Sequence, residues 1–131
     1  MLEVRSLDTA QQIEKYINDN IAWDLSIEHL CAHFSISRAE LYQLFHTNFN
    51  ASVADYIRSK RIAMAEQLSR TTSMQISEIA ANVGFFDYNY FSKVFHRKFG
   101  VSPREYRKKL EDNGTGQEKT AEQGKSNTKK A

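Results

Sequence analysis

A chain of 131 residues, 40% hydrophobic and 11% aromatic, can build one domain with a real core plus a tail, and is too short for a large multidomain enzyme. Five glycines and one proline leave little turn chemistry for β-hairpins, and a single cysteine excludes an internal disulfide. The net charge of +2 is unevenly spread: residues 1–56 hold three Lys/Arg against eight Asp/Glu, residues 57–110 eleven against four, and residues 111–131 four of each, so a polyanion would meet the second half.

No apolar run approaches the ~18 residues of a membrane span, and no basic segment leads into an apolar one at the start. The expectation is an all-α, soluble, cytoplasmic protein without membrane contact.

The first predicted helix, about Asp8 to Asn20, sets Ile13, Tyr16, Ile17 and Asn20 at helical spacing. Ser26 opens a short helix to Phe34 and Ser37 a longer one to Asn48; a continuous helical pattern of about 19 residues then runs from Ser52 to Arg70. Gln75 to Val83 and Asp87 to Phe99 follow, and a seventh helix starts after Ser102, where Pro103 fills a position whose missing N–H costs nothing. Ser26, Ser37, Ser52, Asp87 and Ser102 can each accept an orphan amide hydrogen bond, and Glu40, Asp55 and Glu105 stand where a capping box or a close variant needs them. Residues 111–131 have no aromatic or branched aliphatic side chain and read as a disordered tail.

An internal repeat organises the rest. At an offset of 50, Phe45, His46, Phe49, Ser52 and Tyr56 match Phe95, His96, Phe99, Ser102 and Tyr106. Upstream the offset falls to 49 and pairs Leu30, Cys31 and Ala32 with Ile79, Ala80 and Ala81. Each copy reads as short helix, tight turn, longer helix, which is helix-turn-helix grammar. The expected layout is a bipartite domain over 1–110: a first unit of about 8–51, a linker helix of about 52–71 and a second unit of about 72–110.

On the two longer helices, Leu41, Leu44, Phe45 and Asn48, and again Phe91, Val94 and Phe95, fall inward. Arg38, Ala39, Tyr42, Gln43 and His46, and Tyr88, Asn89, Ser92, Lys93 and His96, fall outward. Both outward faces carry hydrogen-bonding side chains rather than Glu/Lys pairs four apart. The linker, about 28 Å at 1.5 Å per residue, is close to the ~34 Å between successive major-groove segments of B-DNA.

The run ISEIAANVGFFDYNYFSKVFHRKFGVSPREYR, Ile76 to Arg107, resembles the signature of the AraC/XylS family of bacterial transcription regulators, and Tyr56, Ile57, Arg61, Ile62, Ala65 and Leu68 are similar to its connecting helix. The resemblance covers about residues 8–110. It implies double-stranded DNA as partner, with each unit's second helix in a major groove. The base readers it implies are Ala39, Tyr42 and Gln43, and Tyr88, Asn89, Ser92 and Lys93. Gln43 stands where many members have Arg, and Arg38 is the only cation of the first reader helix. Family members usually append this domain to a sensor domain, for which 131 residues leave no room, so the chain reads as a small stand-alone regulator or a C-terminal domain.

Phosphate contacts fall to Arg38, His46, His96, Arg97 and Arg104, although Arg97, Arg104, Arg107, Lys108 and Lys109 also fit a solvated face. His29 and His33 lie four apart, but Cys31 points away from both and no second ligand pair follows, so no metal and no cofactor is expected. Cys31 aligns with Ala80 at a small core position, and Arg61 matches a family position that packs against the fold. Phe85, Phe91, Phe95 and Phe99 are core by their spacing rather than a stacking platform. No phosphate loop or catalytic carboxylate pair supports an enzyme. The competing reading is a protein-interaction domain in which Tyr42, Tyr88 and Tyr90 dock a partner such as RNA polymerase; otherwise a monomer is expected.

Overall fold

The computed structural model describes residues 2–112, with side chains from Ser6 onward; the rest of the expected tail lies outside them. Seven helices follow one another with no strand among the described residues: α1 (Leu2–Asp19), α2 (Ile27–Phe34), α3 (Arg38–Phe49), α4 (Val53–Thr71), α5 (Ile76–Asn82), α6 (Tyr88–Phe99) and α7 (Pro103–Leu110).

The caps fall where side-chain oxygens are available. Ser26, Ser37, Ser52 and Ser102 accept from the backbone three residues on, and the Asp87 carboxylate takes the Asn89 and Tyr90 amides. Ser37–Glu40 and Ser102–Glu105 close full capping boxes. Ser52–Asp55 closes only half, because the Asp55 carboxylate turns to Arg58 instead. The helix ends differ between the repeats: the left-handed positions are Ser35 and Asn50 in the first copy and Gly84 and Gly100 in the second.

The first helix begins earlier than its apolar spacing indicates, at Leu2 rather than near Asp8. Its opening turns lean on α3, where Asn48 Nδ2 donates to Ser6 Oγ at 2.9 Å, a tertiary contact that local pattern does not carry.

Two cores result. Ile13, Ile17, Ile21, Leu25, Leu30, Leu41, Phe45, Val53 and Ile57 form one; Ile62, Ala65, Ile76, Ile79, Val83, Phe85, Phe91, Val94 and Phe95 lead the other. Each fully buried aromatic or aliphatic side chain contributes about 1.5–3 kcal/mol. Helix α4 walls both cores, the first through Val53 and Ile57 and the second through Ile62 and Ala65.

The repeat extends to polar details. Tyr56 stacks with Phe49 and donates to Glu14 on α1 at 2.6 Å, and Tyr106 packs on Phe99 and donates to Glu66 on α4. Each carboxylate also meets a cation of α4, Lys60 at 3.6 Å for Glu14 and Arg70 at 2.7 Å for Glu66. Thus α1 stands to the first unit as α4 stands to the second.

Candidate nucleic-acid interface

Helices α3 and α6, the second helix of each unit, occupy the same place in the two copies. Each is pinned by two large aromatic or aliphatic anchors, Leu41 and Phe45 on α3 and Phe91 and Phe95 on α6, all fully buried. Fixing those side chains turns the opposite face of each helix to solvent.

On α3, Arg38, Ala39, Tyr42, Gln43 and His46 are all exposed. Three are already engaged: Arg38 pairs with Glu28 at 2.5 Å and also interacts with the Tyr42 side chain, and the Gln43 amide donates to Thr47 Oγ1 at 2.8 Å. Arg38 is therefore a cation with a carboxylate beside it, which lowers its use to a phosphate. The Glu28 carboxyl lies below its ordinary value, chiefly through its own backbone hydrogen bond and then through the contact with Arg38.

On α6, Asn89, Lys93, His96 and Arg97 are exposed, and no hydrogen bond or ion pair among the described residues engages the side chains of Asn89, Lys93 or Arg97. Tyr88 and Ser92, placed outward by the helical wheel, are only half-exposed. Tyr88 packs against the second core with its ring 5.8 Å from Phe91, and the Arg104 guanidinium lies 5.9 Å over its other side. The Phe91 ring and Arg104 of α7 together cover part of the Tyr88 side chain. His96, Arg97 and Lys98 in the last turn suit the negative end of the helix dipole.

Several side chains read differently in three dimensions. Arg107 donates to the Ser69 and Thr72 carbonyls at 3.3 and 3.1 Å and to that of Met74, capping the end of α4 rather than facing a partner. A groove of about 430 Å³ lies there, lined by Ser69, Thr72, Arg107 and Leu110 and by no residue of α3 or α6. His29 and His33 stack with Tyr16, whose hydroxyl meets His29 Nε2 at 2.6 Å. Among the described residues no group of three or more His, Cys, Asp or Glu is arranged to hold a metal. Cys31 is half-buried where its repeat partner Ala80 is buried. Phe85, Phe91 and Phe95 are buried and Phe99 half-buried, as their spacing predicts.

Two exposed rings carry no signal in the helical pattern of the sequence: Phe86, 82% exposed immediately before the α6 cap, and Trp23, 69% exposed after α1. A Phe doublet beside glycine signals that one ring must face out, but not which.

A family model described as a helix-turn-helix domain matches residues 30–109. The chain is 38% identical over 100 residues to the HTH-type transcriptional activator RhaR of Cronobacter sakazakii, covering 76% of this chain and 35% of that protein. It spans about a third of the length of that relative. A transcriptional regulator from Chromobacterium violaceum described as containing an AraC-type DNA-binding domain superposes with a TM-score of 0.70 at 27% identity, over 86% of this chain and 97% of that one. The DNA-binding domain of AdpA, solved in complex with a target DNA, shares the fold with a TM-score of 0.77 at 20% identity, over 81% and 96%. The chain belongs to the AraC-type family of helix-turn-helix transcription regulators.

Proposed function

We propose that the chain binds double-stranded DNA sequence-specifically through α3 and α6 in successive major-groove segments, and that it regulates transcription in a bacterial cytoplasm. The observation that carries this is the pairing of two outward faces, repeat-equivalent and joined by α4, with Asn89 and Lys93 free to bond a ligand. In support, RhaR is named as a transcriptional activator.

In this reading Ala39, Tyr42, Gln43, Tyr88, Asn89, Ser92 and Lys93 face base edges, the half-buried Tyr88 and Ser92 at the margin. His46, His96, Arg97 and Arg104 meet phosphates, and Arg38 does so once it leaves Glu28. One copy covers an asymmetric site of about 15 to 20 base pairs, since the two readers differ and share one chain.

Selection of bound sequences from a random duplex pool, followed by affinity measurement across salt, tests it. DNA binding predicts a selected motif with two separated segments and an affinity that falls steeply with salt. Docking of RNA polymerase through Tyr42 and Tyr90, both nearly half exposed, would instead show weak salt dependence and no motif.

A further inference from the structure

The two cores are joined by α4, which walls both, and at their margins share only Met64 among the described residues, so little direct side-chain packing links one to the other. Between them, at Arg61 on α4, three segments converge. Arg61 Nε donates to the Ile21 carbonyl at 3.1 Å and Nη2 to the Trp23 carbonyl at 2.8 Å, tying α4 to the turn that leaves α1 and leads into α2. The turn between α5 and α6 closes on the same spot. A Cβ on Gly84 would lie 2.5 Å from the Ile21 oxygen and 2.6 Å from Arg61 Nε. The turn between α1 and α2 of the first unit and the turn that leads into α6 of the second therefore meet at one guanidinium. Burial lowers the Arg61 pKa and the Asp24 charge opposes this, in keeping with an enclosed group.

We propose that the joint formed by Arg61, Ile21, Trp23 and Gly84 fixes the distance and angle between α3 and α6, so that the protein selects DNA by the number of base pairs between two contacted segments as well as by their sequence. The inference rests on the reading of α3 and α6 as DNA readers and adds a spacing requirement to it. One extra base pair moves the second segment by about 3.4 Å and turns it by about 35°. A locked pair of readers cannot follow that step, whereas a pair tethered by α4 alone can pivot toward it. Arg61 is thus a positioning residue, acting on DNA only through the two units it joins.

The test uses the full chain and a duplex selected by the wild-type protein, then lengthened or shortened by one base pair between its two protected segments. Wild type, Arg61→Lys, Arg61→Ala and Gly84→Ala are compared, with helical content and melting monitored for each. Arg61→Lys keeps the charge but replaces the rigid planar fork that spans the two carbonyls by a single shorter ammonium, and Gly84→Ala displaces the guanidinium without altering it. The wild type should lose at least about tenfold in affinity on either altered spacing, the value of one good base contact. The folded variants should lose less than about threefold while still preferring the selected sequence over a scrambled one. A folded Arg61→Ala or Gly84→Ala protein with the wild-type spacing profile would overturn the joint while leaving DNA reading intact. A wild type that does not distinguish selected from scrambled duplex would overturn both.

Discussion

The Nε of Arg61 occupies the space that a side chain at Gly84 would need, 2.6 Å from the ideal Cβ position. Gly84 and Gly100 both have positive φ, +98° and +82°, yet nothing stands within 4 Å of a Cβ at Gly100. The two sites separate backbone strain from steric conflict. Gly100→Ala should cost about 1–2 kcal/mol through left-handed backbone alone. Gly84→Ala should cost clearly more, because the Ile21 carbonyl is backbone and cannot step aside. Urea midpoints with unchanged slopes would check this, and equal losses would contradict the crowding at Gly84.

On α6, substitutions should divide by chemistry. Asn89 offers a donor and an acceptor that suit an adenine edge, and Lys93 a donor that suits guanine, so each change to Ala should cost about 1–3 kcal/mol against the selected duplex and little against a scrambled one. Arg97→Ala should weaken all duplexes alike and lower the salt slope by about one phosphate. Gln43→Ala should lose less than Asn89→Ala or Lys93→Ala, since its amide is already bonded to Thr47. If Asn89→Ala and Lys93→Ala behave like Arg97→Ala, α6 anchors the backbone and does not read bases.

The paired tyrosine–glutamate contacts make stability depend on pH at both ends. Burial, and then the hydrogen bond to Glu14, raise the Tyr56 hydroxyl above its ordinary 10.0. The unfolded chain then releases that proton first. Tyr56 stabilises the fold fully below pH 10.0, and this is lost as pH climbs toward the folded value. Glu66 has the opposite sign. Burial pushes it up, but the hydrogen bonds from Arg70 and Tyr106 and the Arg70 charge outweigh this, leaving it below its ordinary 4.5. Its contribution is present above 4.5 and fades as pH falls. Tyr56→Phe should therefore flatten the alkaline decline in urea midpoint and Glu66→Gln the acid one. Unchanged limbs in both variants would mean the contacts do not persist in solution.

The phenylalanines should fall into two groups. Phe45→Ala and Phe95→Ala empty fully buried positions and should cost about 3–5 kcal/mol each. Phe86→Ala removes a ring that is 82% exposed and should stay within about 0.5 kcal/mol. A large loss at Phe86 would place it against a surface that the folded chain covers.

Most of the architecture is legible because its determinants are local. Ser37, Ser102 and Asp87 announce helix starts through side chains a few residues from the amides they cap, and Phe91 and Phe95 announce a buried face by spacing alone. Other features depend on partners distant in sequence. Arg107 reads as one of several cations on a solvated helix until the Ser69, Thr72 and Met74 carbonyls are seen to lie beneath it. Tyr88 lies outward on a wheel that knows nothing of Arg104 above it. Arg38 looks like a free cation because Glu28, ten residues earlier, is on another helix. The outward placement of Asn89 and Lys93 is legible because the exposed face is a property of one helix, whereas the joint at Arg61 is a property of three segments.

Because α4 gives Val53 and Ile57 to one core and Ile62 and Ala65 to the other, the duplication overlaps itself by a helix, and seven helices do the work of two four-helix repeats. Units that share an element are coupled, since unwinding α4 through Ile57 and Ile62 withdraws a wall from both cores. Sequence drift is restrained in the same way. A substitution at Ile57 or Ile62 must suit its own core and also the helical register that delivers the other core, so this short segment of α4 answers to two hydrophobic environments at once.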